Sequence, residues 1–325
     1  MTFHPDSLPD LTGKVYVVTG GNAGIGYYTV ARLAEHGAHV YLCARSPTKG
    51  NAAIDGIKAL YPQAHITLLQ IDHMSLSSVV AAARTLLKRE SSLHGLVNNA
   101  GIMATPFEMT SDGYEAQWQT NYLAHWLFTS HLIPLMLKTS KSLSPGSVRI
   151  VNVSSGGHNM APNGGIDLSD TALASSSPLT RYGQSKLANI LHAKVLHKLY
   201  GPGSPSSKAG TGEIWTAVLH PGVVGTNLGD NAVWPFGVKT LFSWYTALGG
   251  PLDPDKGSWS SVFCVASPAM TKDQSGTYFL KFAKKGSESA LAKDMELAAR
   301  LEEWTKKELL AKDEWAPAGT GMKSS

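Results

Sequence analysis

Cysteine is nearly absent. The 325 residues hold two, Cys43 and Cys264, with no CxxC pair and no metal-like cluster around either. That excludes a disulfide scaffold, gives no zinc-type site, and points to a reducing compartment with two small buried hydrophobes. Charge is also scarce, at 16% of residues with a formal net charge of +4. No Lys/Arg block interleaved with aromatics occurs, which argues against nucleic acid as a principal partner. No uninterrupted apolar run is long enough to span a bilayer. The nearest, 233–252, is broken by Pro235, Lys239 and Gly249–Gly250–Pro251. Residues 1–11 carry His4, Asp6, Asp10 and two prolines, so they do not read as a signal peptide. The expectation is a cytoplasmic protein, with peripheral membrane contact through the aromatic stretch left open.

What is present is a globular composition, 43% hydrophobic, with apolar strand-like runs alternating with helical patterns. Residues 15–19, 40–44, 66–71, 95–98, 148–153, 214–219 and 277–280 read as strands, short and nearly all apolar, as strands buried on both faces are. Residues 25–36, 49–60, 76–90, 114–137, 181–200 and 256–265 read as helices between them. Such alternation predicts right-handed crossovers and one doubly wound parallel sheet of about seven strands, Rossmann-type, in a single domain over 1–325. Residues 1–11 form an N-terminal extension, 287–312 an amphipathic terminal helix and 316–325 a frayed tail. Segment 201–212, rich in Gly, Pro and Ser, reads as an exposed insertion. Segment 225–255 holds Trp234, Phe236, Phe242, Trp244 and Tyr245. It reads either as an apolar lid over a substrate or as a satellite core or subunit contact.

Thr19–Gly20–Gly21–Asn22–Ala23–Gly24–Ile25–Gly26 follows the first strand and opens a helix. Glycines there permit a tight turn and let backbone N–H groups approach a pyrophosphate at the helix N-terminus. The second strand ends Ala44–Arg45. An acidic residue at that place would hold a ribose 2′-hydroxyl, whereas Arg45 offers a cation to a 2′-phosphate, so the cofactor expected is NADP(H). Farther on, Tyr182 and Lys186 stand four apart on one helix face. A cation beside a phenol favours the phenolate and brings its pKa down from about 10 towards useful acid–base work.

The spacing Gly-x-x-x-Gly-x-Gly, followed downstream by Ser154–Ser155 and Tyr182-x-x-x-Lys186, resembles the short-chain dehydrogenase/reductase family. The likeness runs from about residue 11 to 280. It implies that Asp72 approaches the adenine and that Asn99–Ala100–Gly101 line the cofactor. Pro221–Gly222, Val224 and Thr226 would contact the nicotinamide amide. It further implies a catalytic set of Asn121, Ser155, Tyr182 and Lys186, with Ser154 the alternative one position earlier. Tyr182 would give a proton to a carbonyl oxygen that Ser155 also holds, Lys186 would lower the tyrosine pKa, and Asn121 would hold a relay water. The long gap between Ser155 and Tyr182, together with Cys43–Ala44–Arg45, His158 and His220–Pro221–Gly222, resembles the retinol-dehydrogenase-like branch, which handles bulky lipophilic carbonyls and alcohols. His158, Trp234 and Phe236 are the substrate candidates, although a loop histidine satisfied by backbone is the stronger reading of His158. No metal is implied. The family commonly pairs subunits through helices here at 114–137 and 181–200. That leaves two alternatives, a homodimer, or a monomer if the terminal helix covers that surface. Carbonyl reduction leads; alcohol oxidation, a cofactor-binding scaffold without turnover, and a repurposed site are the rivals.

Overall fold

The computed structural model describes residues 3–229, 232–233, 250–312 and 315–317. Eight strands form one sheet in the order β3-β2-β1-β4-β5-β6-β7-β8. They are β1 Val15–Val18, β2 His39–Ala44, β3 His65–Gln70, β4 Gly95–Asn98, β5 Arg149–Val153, β6 Trp215–Leu219, β7 Thr277–Leu280 and β8 Lys284–Lys285. The first seven run parallel. β8 pairs antiparallel with β7 and is one strand more than the apolar runs indicate. It consists of two exposed lysines and is made by a chain reversal through Phe282 and Ala283, both at positive φ. No apolar signature marks it.

The strands in the middle of the sheet, β1, β4, β5 and β6, are buried at every residue. Successive side chains point to opposite faces. Leu96, Ile150 and Val218 thus enter one core, and Val97, Val151 and Leu219 the other. The second core is closed by α1 (Gly24–Glu35), α2 (Pro47–Leu60) and α6 (Pro254–Ala266), through Val30, Leu33, Ile57 and Val262. The first is closed by α3 (Leu76–Arg89), α4 (116–140), α5 (Pro178–Tyr200) and α7 (Met295–Leu310). α4 is continuous over 116–140 but passes through a π-turn at Gln119–Leu123 before Ala124–Ser140. Strand order reverses between β1 and β4, so their carboxyl ends open the crevice in which such sheets bind ligands.

Side-chain caps mark most helix starts: Ser46 for α2, Ser75 for α3, Ser177 for α5 and Asp253 for α6. The terminal helix expected over 287–312 is instead two pieces, Ala290–Lys293 and α7. Asp294 separates them, and its carboxylate accepts from the N–H groups of Glu296 and Leu297. α7 lies across α4 and α5. Trp126 Nε1 donates to Glu302 (2.8 Å) and Tyr114 Oη to Glu308 (2.9 Å), while Tyr122 Oη pairs with Thr305 Oγ1 (2.7 Å). The helix faces expected to meet a second subunit are therefore occupied by this chain's own C-terminal segment. Pro317, in the expected tail, is buried. Among the described residues, no helix is long and apolar enough to cross a membrane.

Candidate active site

The glycine turn closes on itself between β1 and α1. Gly20 and Gly24 both take positive φ, 65° and 54°. A Cβ on Gly26 would stand 2.3 Å from the Gly20 carbonyl oxygen and 2.6 Å from Asn99 Nδ2, so no larger residue fits. Asn99 fastens this turn from the β4 side, donating to the Thr19 carbonyl at 2.8 Å. α1 starts at Ala23 without a side-chain cap. Its first N–H groups are left for a ligand, and an anion is what a helix N-terminus attracts. Thr226 packs over the turn, its Cγ2 2.8 Å from where a Gly24 Cβ would be.

All the residues expected to hold cofactor line one cavity of about 1240 Å³: Gly20, Asn22, Ala23, Gly24, Ile25, Gly26, Arg45, Asp72, Asn99, Ala100, Gly101, Pro221, Gly222, Val224 and Thr226. Ser155, Tyr182 and Lys186 line it too. Arg45 is exposed at its rim, and the Asp72 carboxylate is tied to the Met74 N–H at 3.0 Å. Cavity size, the glycine cradle and the uncapped helix start together fit a dinucleotide.

At the chemical end the two serines part. Ser154 Oγ donates to the Lys186 carbonyl at 2.7 Å, which spends its proton on holding α5 to β5. Ser155 caps the turn Gly156–Met160, its Oγ accepting from the Gly157 N–H at 3.0 Å, with the Tyr182 phenol close by. Burial pushes that phenol up to about 12, the neighbouring Ser155 hydroxyl opposing it. This differs from the expected lowering by Lys186. The ammonium lies 5.7 Å from the ring centroid, but desolvation of a fully enclosed phenol outweighs it. The lysine itself is pushed down to about 8 by burial, and Nζ donates to the Val153 carbonyl at 3.1 Å.

Asn121 does not line the cavity. Its amide bridges Ile102, accepting from the N–H (2.9 Å) and donating to the carbonyl (3.0 Å), and also donates to Ser185 Oγ (2.9 Å). Every polar atom of the side chain is thus committed to joining the 101–102 loop, α4 and α5. His158 likewise turns away from the cavity. Its Nδ1 pairs with the Ser155 carbonyl (2.7 Å) and Nε2 accepts from the Ser289 N–H (3.2 Å), so backbone satisfies both ring nitrogens. Trp234 and Phe236 lie outside the described residues, as does most of the expected lid.

Three groups escape a reading of motifs. Thr19 Oγ1 accepts from the N–H groups of Asn99 (2.8 Å) and Ala100 (2.9 Å) and pairs with His125 Nε2 (2.8 Å). His125 Nδ1 pairs in turn with the Asn121 carbonyl at 2.9 Å. With Thr19 donating, the ring carries its proton on Nδ1, and one neutral chain runs from the cofactor turn into the π-turn. The i,i+4 spacing of Asn121 and His125 was the available signal. Gly183 is the second: a Cβ there would stand 2.5 Å from Met160 C and 2.6 Å from Ala161 N. His220, marked in the sequence only as part of His220–Pro221–Gly222 and given no role there, is the third and lines the cavity beside Gly156.

The short chain dehydrogenase family model matches residues 14–166, the cofactor half of this arrangement. The short-chain dehydrogenase/reductase drtF of Aspergillus calidoustus is 53% identical over 308 residues, covering 94% of this chain and 96% of its own. The chain belongs to the short-chain dehydrogenase/reductase family. Polyprenol dehydrogenase of Homo sapiens is 34% identical over 267 residues, 81% of this chain and 76% of that one. Among solved structures, an uncharacterized protein from Mycobacterium Paratuberculosis gives a TM-score of 0.71 at 28% identity, covering 95% of this chain and 97% of its own. As a short-chain dehydrogenase/reductase, the protein is a nicotinamide-dependent oxidoreductase that moves a hydride.

Proposed function

We propose that this protein is an NADP(H)-dependent reductase of bulky, apolar ketones or aldehydes. The observation that carries the reading is the gathering of Ser155, Tyr182 and Lys186 in the cavity that also holds the glycine turn, with the Ser155 hydroxyl near enough to the phenol to act on its pKa. The nicotinamide, when bound, supplies the hydride. The chain's own groups manage the proton and the developing charge. A phenol held near 12 is neutral at physiological pH, so Tyr182 carries the proton that a carbonyl oxygen needs as it gains charge. Ser155 donates a second hydrogen bond to the same oxygen. Lys186 anchors one N–H on the Val153 carbonyl and keeps the ammonium beside the phenol, where it favours the phenolate left after transfer. Asn121 and His125 act behind these groups, by position.

Arg45 at the rim supports NADP(H), with no carboxylate in its place to repel a 2′-phosphate. Ile102, Met103, Val223 and Leu228 on the cavity wall support an apolar substrate. The likeness to polyprenol dehydrogenase favours a second reading, oxidation of a long lipophilic alcohol, with the same residues run in reverse. The test is oxidation of NADPH and of NADH against a panel of bicyclic ketones and long-chain aldehydes, and reduction of NADP⁺ against the matching alcohols. Faster turnover with NADPH is expected, and Arg45→Asp should move the preference towards NADH by about tenfold or more. Wild-type preference for NADH would overturn the reading of Arg45.

A further inference from the structure

His220 follows β6 directly and is fixed by its own backbone, whose N–H donates to the Phe279 carbonyl at 2.8 Å. Its ring stands on the cavity wall, one residue from Ser155 in space: Nε2 lies 3.4 Å from where a Cβ on Gly156 would sit. Gly157, the next residue, packs against the Tyr182 ring, with Cε1 2.8 Å from its notional Cβ. The dipeptide Gly156–Gly157 is thus flanked by the imidazole on one residue and the phenol on the other. The absence of side chains at both leaves room for each ring against the turn.

The two nitrogens of His220 are not equivalent. Nδ1 is buried and, among the described residues, has no hydrogen-bond partner. An N–H placed there would be a buried donor with nothing to receive it, which folded proteins avoid. The ring proton therefore belongs on Nε2, the nitrogen beside Gly156. Burial, reinforced by the nearby His158, holds the ring below its ordinary pKa and hence neutral, with a single N–H to offer.

We propose that His220 determines substrate specificity, donating from Nε2 to a second oxygen carried by the substrate a few bonds from the reacting carbonyl. The preferred compounds are then apolar frameworks bearing two oxygen functions, rather than plain hydrocarbon ketones. A donor on the wall holds a substrate oxygen that a plain ketone does not offer, and polar discrimination of this kind exceeds what hydrocarbon contacts achieve. The inference deepens the proposed reductase reading and rests on it for the location of the reacting carbonyl.

The experiment compares 1-decalone with decalin-1,5-dione, which differ by one CH₂ replaced by C=O, in wild type, His220→Leu and His220→Gln. Wild type is expected to favour the dione in kcat/KM by about tenfold or more. His220→Leu should lose that preference through the dione alone, leaving 1-decalone within about threefold, and His220→Gln, which keeps a donor, should restore part of it. A second measurement needs no turnover: ¹⁵N NMR of the His220 ring in the NADP-loaded protein. It should show the proton on Nε2 and a shift of that nitrogen on titration with the dione but not with 1-decalone.

A proton on Nδ1 would overturn the proposal, as would equal losses on both ketones or a wild type indifferent between them. If neither ketone is reduced while the dione still shifts Nε2, the contact stands and the reductase reading falls.

Discussion

At Lys186 and Tyr182, burial opposes the charges that the chemistry uses. The lysine is held near 8, below its ordinary value, so between pH of about 8 and 10.5 the unfolded chain binds a proton that the folded chain does not. Stability on this account rises with pH through that window and is lowest below it. Lys186→Met removes the penalty. At pH 7 and without cofactor it should be more stable than wild type, by up to roughly 3 kcal/mol less the lost hydrogen bond to Val153, and inactive. The advantage should fade as pH approaches 10.5; thermal melts across pH 7 to 11 measure it, and a wild type more stable than the variant at pH 7 would show that the ammonium is well solvated. Tyr182→Phe keeps the ring packing and removes the proton. Turnover should fall by about 10² to 10⁴, with NADPH affinity unchanged by fluorescence titration. Both residues were legible as a pair four apart. The direction of the tyrosine shift was not, because desolvation depends on what the rest of the chain packs around it.

The catalytic turn and α5 meet through a glycine. Gly183 costs helix α5 up to about 1 kcal/mol relative to alanine, yet a Cβ there would collide with Met160 and Ala161 backbone atoms. Overpacking of that kind costs about 1–3 kcal/mol, so packing outweighs propensity. Gly183→Ala should lower the melting temperature and, by pushing the 156–160 turn off α5, separate Ser155 from Tyr182. We expect kcat to fall by about tenfold or more with the NADPH dissociation constant within about threefold. A variant with full activity would show that the turn yields without cost. The π-turn in α4 belongs to the same scale. It gives the Asn121 carbonyl to the His125 ring, and such turns recur at functional sites. Periodicity alone reads 114–137 as an unbroken helix, since nearly every residue over 116–132 is buried and no polar face is left to show the change of phase.

Over the whole molecule, α7 seals the α4–α5 face. Leu297, Leu301 and Leu309 are buried there, and Trp118 and Tyr122 beneath them are almost fully enclosed. A chain ending before Met295 uncovers that surface. It should self-associate or lose solubility, whereas the full chain should sediment as a monomer, since α7 already fills the face a partner would use. Sedimentation velocity on both forms decides this; a soluble, monomeric truncation with an unchanged melting curve would refute the role of α7.

What the amino-acid order determined by itself was local: which runs are strands, where the glycines permit a turn, and which hydroxyl, ammonium and guanidinium groups stand near each strand end. These follow from backbone sterics and from side-chain periodicity over a few residues. Tertiary packing alone decided that Ser155 rather than Ser154 faces the phenol, that Asn121 and His158 serve backbone instead of the cavity, and that His220 reaches it. Each of those outcomes depends on which partner satisfies a buried polar atom, and that partner comes from a segment distant in sequence.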